Sequence, residues 1–136
     1  MKQTLPHDLP KDVQLMDVLE TEILTVYFYP EFIVVEAFEG INLSYKTGFT
    51  ILLKVIKIIG SKPCFLISNR INSYSVNPTD YKYLDMIPNL KGIGIVSTTE
   101  RGRSNAQLEA KFFKKPFKVF DDMKSAYFWG KELLAN

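Results

Sequence analysis

Cys64-Phe65-Leu66-Ile67-Ser68 and Ile93-Gly94-Ile95-Val96-Ser97 are the two stretches on which the fold turns. Each is short and apolar on consecutive positions, with Pro63 just before the first and Gly92 just before the second. A strand with one wet face alternates apolar and polar residues, whereas a strand covered on both faces reads as a continuous apolar run. Between the two runs lies a helix with a full start signal. Asn77 can cap it, Pro78 takes its first position, Asp80 sits in its first turn, and Pro88 marks its end. Tyr81, Leu84 and Ile87 give that helix a buried side. Strand, helix, strand in this order predicts two parallel neighbours in mid-sheet, joined by a crossover that lays its helix on the sheet.

Outward from this centre, residues 44–59 read as the clearest helix. Tyr45, Phe49, Leu52, Ile56 and Ile59 recur at helical spacing, with Lys46, Thr50, Lys54 and Lys57 on the opposite stripe. Asn42 or Ser44 supplies the cap, and Gly60 suits the left-handed position that ends a helix. Before it, residues 23–29 and 32–38 are rich in β-branched and aromatic residues around Pro30-Glu31, which predicts an antiparallel hairpin. Glu36 shares a side with Phe32, Val34 and Phe38, so that side is expected to be only partly buried. Residues 11–20 read as a short helix using Val13, Leu15 and Val18, and residues 1–10 as a loose arm.

Towards the other end, a helix begins at Thr98, Thr99 or Ser104 and turns Ala106, Ala110 and Phe113 inward, with Leu108 and Phe112 alongside. Pro116 breaks it and Phe117–Phe120 forms a last strand. Asp121 is the expected cap of a final helix whose stripe runs through Met123, Ala126, Tyr127, Gly130, Leu133 and Leu134. The predicted order is β-β-α-β-α-β-α-β-α. This is an α/β domain with a mixed, mostly parallel sheet of about five strands packed with helices. It occupies residues 21–136, after an arm of residues 1–20.

A chain of 136 residues is one domain and buries enough surface to need no disulfide or metal staple. Its apolar fraction of 46% and aromatic fraction of 13% are those of a globular protein. With 17 basic and 15 acidic residues the net charge is +2, which gives no argument for nucleic acid. The single cysteine, Cys64, forms no intrachain disulfide, and a cytoplasmic setting is expected. No apolar core for a signal peptide occurs near Met1, and the stretch 49–59 is too short and too charged to span a bilayer, so no stable membrane insertion is expected.

With these elements placed, the chain resembles the STAS-like superfamily, in particular the small bacterial STAS/CRAL-TRIO-like proteins related to the sporulation anti-anti-sigma factor. The resemblance covers most of residues 23–134. It rests on the opening hairpin, the long first helix, the parallel series, and the ending Phe117-Lys118-Val119-Phe120-Asp121-Asp122-Met123-Lys124-Ser125-Ala126-Tyr127-Phe128-Trp129. It implies a non-catalytic regulatory or protein-interaction module. Regulatory members carry a phosphorylatable serine in an Asp-Ser-Ser/Thr-Gly type motif at the start of the second helix. The matching stretch here, residues 68–78, has no Asp-Ser pair and no glycine, so that role is not carried to Ser73 or Ser75.

The best candidate for a ligand- or partner-binding site is Asn69, Arg70, Asn72, Ser73, Tyr74 and Ser75. This loop follows a buried parallel strand and precedes a helix, where open α/β sheets gather ligands. Free backbone N–H groups and the forked donor of Arg70 would suit an anion. The other reading is that these side chains satisfy the backbone of a long loop.

No catalytic residues, cofactor motif or metal set is identified. His7, the single histidine, lies in the expected arm, which excludes histidine triads and multi-histidine metal sites. Cys64 reads as a small core residue. Asp121/Asp122 suits a helix start better than acid–base work, and Gly92-Ile93-Gly94 precedes its strand and lacks the third glycine of a dinucleotide loop. Lys111, Lys114, Lys115 and Lys118 read as a solvated rim.

Three functions follow. The first is an interaction module whose partner is another protein or a second copy in a homodimer. The second is a domain for a small apolar ligand or lipid, which the CRAL-TRIO side of the resemblance allows. The third, an enzyme without histidine, has no residue pattern in its favour.

Overall fold

The computed structural model describes residues 6–136. Its main sheet has six strands, β1 (Asp17–Glu20), β2 (Leu24–Phe28), β3 (Phe32–Ala37), β5 (Cys64–Asn69), β7 (Leu90–Val96) and β8 (Phe117–Phe120), in the order β1-β2-β3-β5-β7-β8. The first three are antiparallel and the rest parallel. β4 (Asn42–Leu43) and β6 (Ser75–Val76) make a separate parallel pair. The helices are α1 (Tyr45–Ile59), α2 (Tyr81–Asp85), α3 (Glu100–Glu109) and α4 (Met123–Ala135).

The two deciding runs lie side by side and parallel, with Leu66 opposite Ile93 and Ser68 opposite Ile95. Phe65, Ile67, Ile93 and Ile95 are among the most deeply buried side chains, as continuous apolar strands require. Alternation along β5 sends Phe65 and Ile67 to one side, with Phe32, Val34, Met123, Ala126 and Tyr127. That is the α4 side. Cys64 and Leu66 face the other way, towards α1, α2 and α3. At Gly130, α4 lies so close to β5 that a Cβ would overlap the Phe65 ring.

The sheet has one more strand than expected because residues 17–20, read as part of a helix, form β1. The open edge of β2 offers unpaired N–H and C=O groups, and pairing them outweighs a weak helical pattern. Residues 1–5 of the expected arm lie outside the described residues. The remainder of that arm is packed: His7, Leu9 and Val13 are buried against the α4 side of the sheet.

Local signals were mostly realised. Ser44 caps α1 in a reciprocal box with Thr47, and Gly60 follows at φ 69°. Thr99 caps α3 through the Gly102 N–H at 3.0 Å. Asn77 caps a short 3-10 turn, Pro78–Asp80, that leads into α2. The last helix is capped by Asp122, whose Oδ1 accepts the Ser125 N–H at 2.7 Å, and not by Asp121. The buried side of α1 also differs from expectation. Val55 packs inward, while Phe49 and Ile56 are 39% and 37% exposed. The apolar arc of α1 is wider than the strip of sheet it can reach.

Candidate functional site

The loop after β5 is divided between the two faces of the sheet by strand alternation. Arg70 goes to the α1 side and is largely buried. Its two terminal nitrogens donate to Glu109 Oε2 at 2.6 Å and Oε1 at 2.5 Å. The Tyr81 hydroxyl donates to Glu109 Oε1 at 2.6 Å. Tyr74 lies below the guanidinium at 5.6 Å, and its hydroxyl meets Ser68 Oγ at 2.8 Å. Burial by itself would lower the Arg70 pKa, but the Glu109 hydrogen bonds reverse this and raise it. Burial first, then the Glu109 charge, raise the Tyr81 hydroxyl.

The rest of the loop is tied down. Asn72 donates to the Ala37 carbonyl at 3.0 Å, the Ser73 N–H to Glu39 at 2.8 Å, and Ser75 Oγ to Asn42 at 3.0 Å, with Ser75 itself in β6. The structure therefore brings Arg70 and Tyr74 together, places Asn69 on the opposite face, and engages Asn72, Ser73 and Ser75 in holding the loop. The forked donor expected to face an anion already holds a carboxylate of the same chain.

Asn69 belongs to a second polar cluster. Its Nδ2 donates to Glu36 Oε2 at 2.8 Å, and the same oxygen accepts His7 Nε2 at 2.7 Å. His7 Nδ1 meets the Tyr29 hydroxyl at 2.7 Å, and its ring sits edge-on to Tyr27 at 4.6 Å. A carboxylate only accepts, so Nε2 carries a proton. Burial pulls the Glu36 pKa up, but the His7 and Asn69 hydrogen bonds outweigh it and hold the carboxyl below its ordinary value. Burial and then the Glu36 charge push Tyr29 up to about 12. His7 thus sits in the packed interior and not in a loose arm, and it fastens the leading segment to the sheet. Glu36 in an apolar alternation was the one hint of this in the sequence.

Between α1, α2 and the sheet lies a cavity of about 200 Å³. Leu66, Ile93 and Ile95 of the sheet, Leu52 and Val55 of α1, and Leu84 of α2 line it. Ser68, Arg70 and Tyr81 stand at its polar end. Tyr45 and Tyr83, which also line it, stack at 3.8 Å and link α1 to α2. Sequence reasoning missed this cavity. The available signals were Gly48 near the start of α1 and that helix's broad apolar arc. Cys64 also borders it, buried, with its thiol pKa raised by that burial.

The Lys111–Lys118 group is no open basic patch throughout, since Lys115 reaches back to the carbonyls of Ile87 and, at 2.8 Å, Leu90. Among the described residues no helix is long and apolar enough to cross a membrane.

The mixed, mostly parallel sheet with helices on both sides is similar to the SpoIIAA-like fold. The solved structure of an uncharacterised DUF3478-family protein with a SpoIIAA-like fold, from Shewanella loihica PV-4, is similar, with a TM-score of 0.51 and 15% identity over 95% of this chain and 98% of that one. No family model matches the chain, and no curated protein matches it.

Proposed function

We propose that this protein is a non-catalytic binding module of STAS-like architecture that takes a small apolar ligand beneath α1. The observation that carries this reading is the cavity of about 200 Å³ walled by aliphatic side chains. For scale, an apolar cavity of about 150 Å³ stays dry and takes up benzene. The site opens to solvent beside Phe49 and Ile56, so a ligand can enter and cover aliphatic surface that water otherwise wets.

Titration with toluene, followed by methyl NMR, tests the proposal. Shifts concentrated on Val55, Leu66, Leu84, Ile93 and Ile95 are expected. No shift at millimolar toluene, or shifts confined to the outer surface, would overturn it.

A second reading, regulation through contact with another protein, is favoured by the exposed Phe49, Leu53 and Ile56 of α1, of which Phe49 and Ile56 also border the cavity. Sedimentation velocity with and without candidate partners tests it, and self-association of the pure chain would instead identify a homodimer.

A further inference from the structure

We infer that the ligand held beneath α1 is uncharged: a hydrocarbon group carrying at most one neutral hydrogen-bonding function, of the size of a substituted benzene ring or a short alkyl chain. This rests on the cavity being a binding site, as proposed above, and it names what the site selects.

The selecting feature is the polar end. Arg70 looks at first like an anion receptor, yet its two terminal nitrogens are already bound to both oxygens of Glu109, and Tyr81 donates to the same carboxylate. The side chains of this pair are only 10% and 12% exposed. The pair is neutral as a unit. An anionic headgroup would have to eject Glu109 from three hydrogen bonds and leave that carboxylate buried without its cation. Asp80, which also borders the cavity, adds a second carboxylate that disfavours anions.

A cationic headgroup meets the reverse problem. The Glu109 oxygens are occupied, and Asp80 Oδ2 already accepts the Tyr45 N–H at 2.8 Å at the start of α1. Among the described residues, no buried side-chain nitrogen or oxygen lacks a hydrogen-bond partner. The buried polar side-chain atoms at the walls are therefore already engaged, so a charged headgroup finds no vacant partner among them. Among the polar side chains that line the cavity, Ser68 keeps an adaptable hydroxyl: it pairs with the Tyr74 hydroxyl at 2.8 Å, where either oxygen can be the donor, and accepts the Arg70 Nε–H at 3.4 Å. A rotating hydroxyl pair can take one neutral O–H or carbonyl without breaking the ion pair.

The matched probes 1-octanol, octanoate and octylamine share one chain and differ in headgroup charge. Titrated at pH 7 and read by methyl NMR, wild-type protein should bind 1-octanol at least tenfold tighter than either ion. Glu109→Gln keeps the side-chain shape and an acceptor for Tyr81 but frees Arg70 of its counter-charge. In that variant the preference for 1-octanol over octanoate should collapse or invert. Octanoate or octylamine binding wild type as well as 1-octanol would overturn the inference while leaving the cavity reading intact. So would a Glu109→Gln variant whose ratio is unchanged. Failure of all three probes, together with failure of toluene, would overturn both.

Discussion

Gly48→Leu should make this protein more stable and at the same time abolish ligand uptake. Gly48 is the fourth residue of α1, with its N–H bound to the Ser44 carbonyl at 2.8 Å, and it borders the cavity. A Cβ there would meet only Leu43 Cδ1, at 3.6 Å, which is an ordinary contact. Replacing glycine by leucine within a helix is worth about 0.8 kcal/mol. Full burial of a leucine side chain is worth about 1.5–3 kcal/mol, and half of that is a fair allowance at a half-buried position, about 1 kcal/mol. The sum is a gain of about 2 kcal/mol. At about 2.1 cal/mol/K per residue, the unfolding entropy of 136 residues is about 0.3 kcal/mol/K, so Tm should rise by about 7 °C. Differential scanning calorimetry measures that rise, and the toluene titration measures the loss of uptake, expected to be at least tenfold. Most substitutions of a partly buried glycine by a large residue destabilise. A lower Tm, or a stabilised variant that still binds toluene normally, would refute the geometry.

Three further outcomes follow from the packing and the polar clusters. Gly130→Ala should destabilise by about 1–2 kcal/mol, the overlap with Phe65 outweighing the better helix propensity. Gly94→Ala, whose Cβ meets nothing closer than 3.5 Å, should be tolerated; equal melting temperatures for the two variants would contradict the close seat of α4.

Arg70→Met should cost about 3–5 kcal/mol by stranding Glu109, and adding Glu109→Leu should restore most of the loss; chemical denaturation of the single and double variants measures both. For pH, Glu36 has a folded-state pKa below its ordinary value, so its stabilising contribution is full above the ordinary carboxylate range and is lost as pH falls through the lowered value. Tyr29, raised to about 12, contributes stability below its ordinary value of about 10 that is lost as pH climbs towards the raised one. Thermal melts across pH should show both limbs. Glu36→Gln should flatten the acid limb, and an unchanged limb would remove Glu36 as its cause.

How much was legible depended on how local the cause was. Continuous apolar runs at residues 64–68 and 93–97, the cap at Asn77, and the stripe through Met123, Ala126, Tyr127 and Gly130 are written in neighbouring residues. Each could be read directly, and together they determined an α/β layer with a parallel centre. Residues 17–20 became a strand through an edge supplied by β2, a reason absent from their own sequence.

The polar residues were harder still. The sequence marks Arg70 as a forked donor, but its partner, Glu109, lies 39 positions away in α3. His7 is 29 positions from Glu36, which in turn is 33 from Asn69. Hydrophobic periodicity is a property of adjacent turns and pleats, so the chain alone sets which faces are buried. Which charges neutralise one another, and where the helices leave a gap, is fixed only when distant segments meet. That is why the fold was read from the sequence, whereas the cavity and its neutral polar end emerged only in three dimensions.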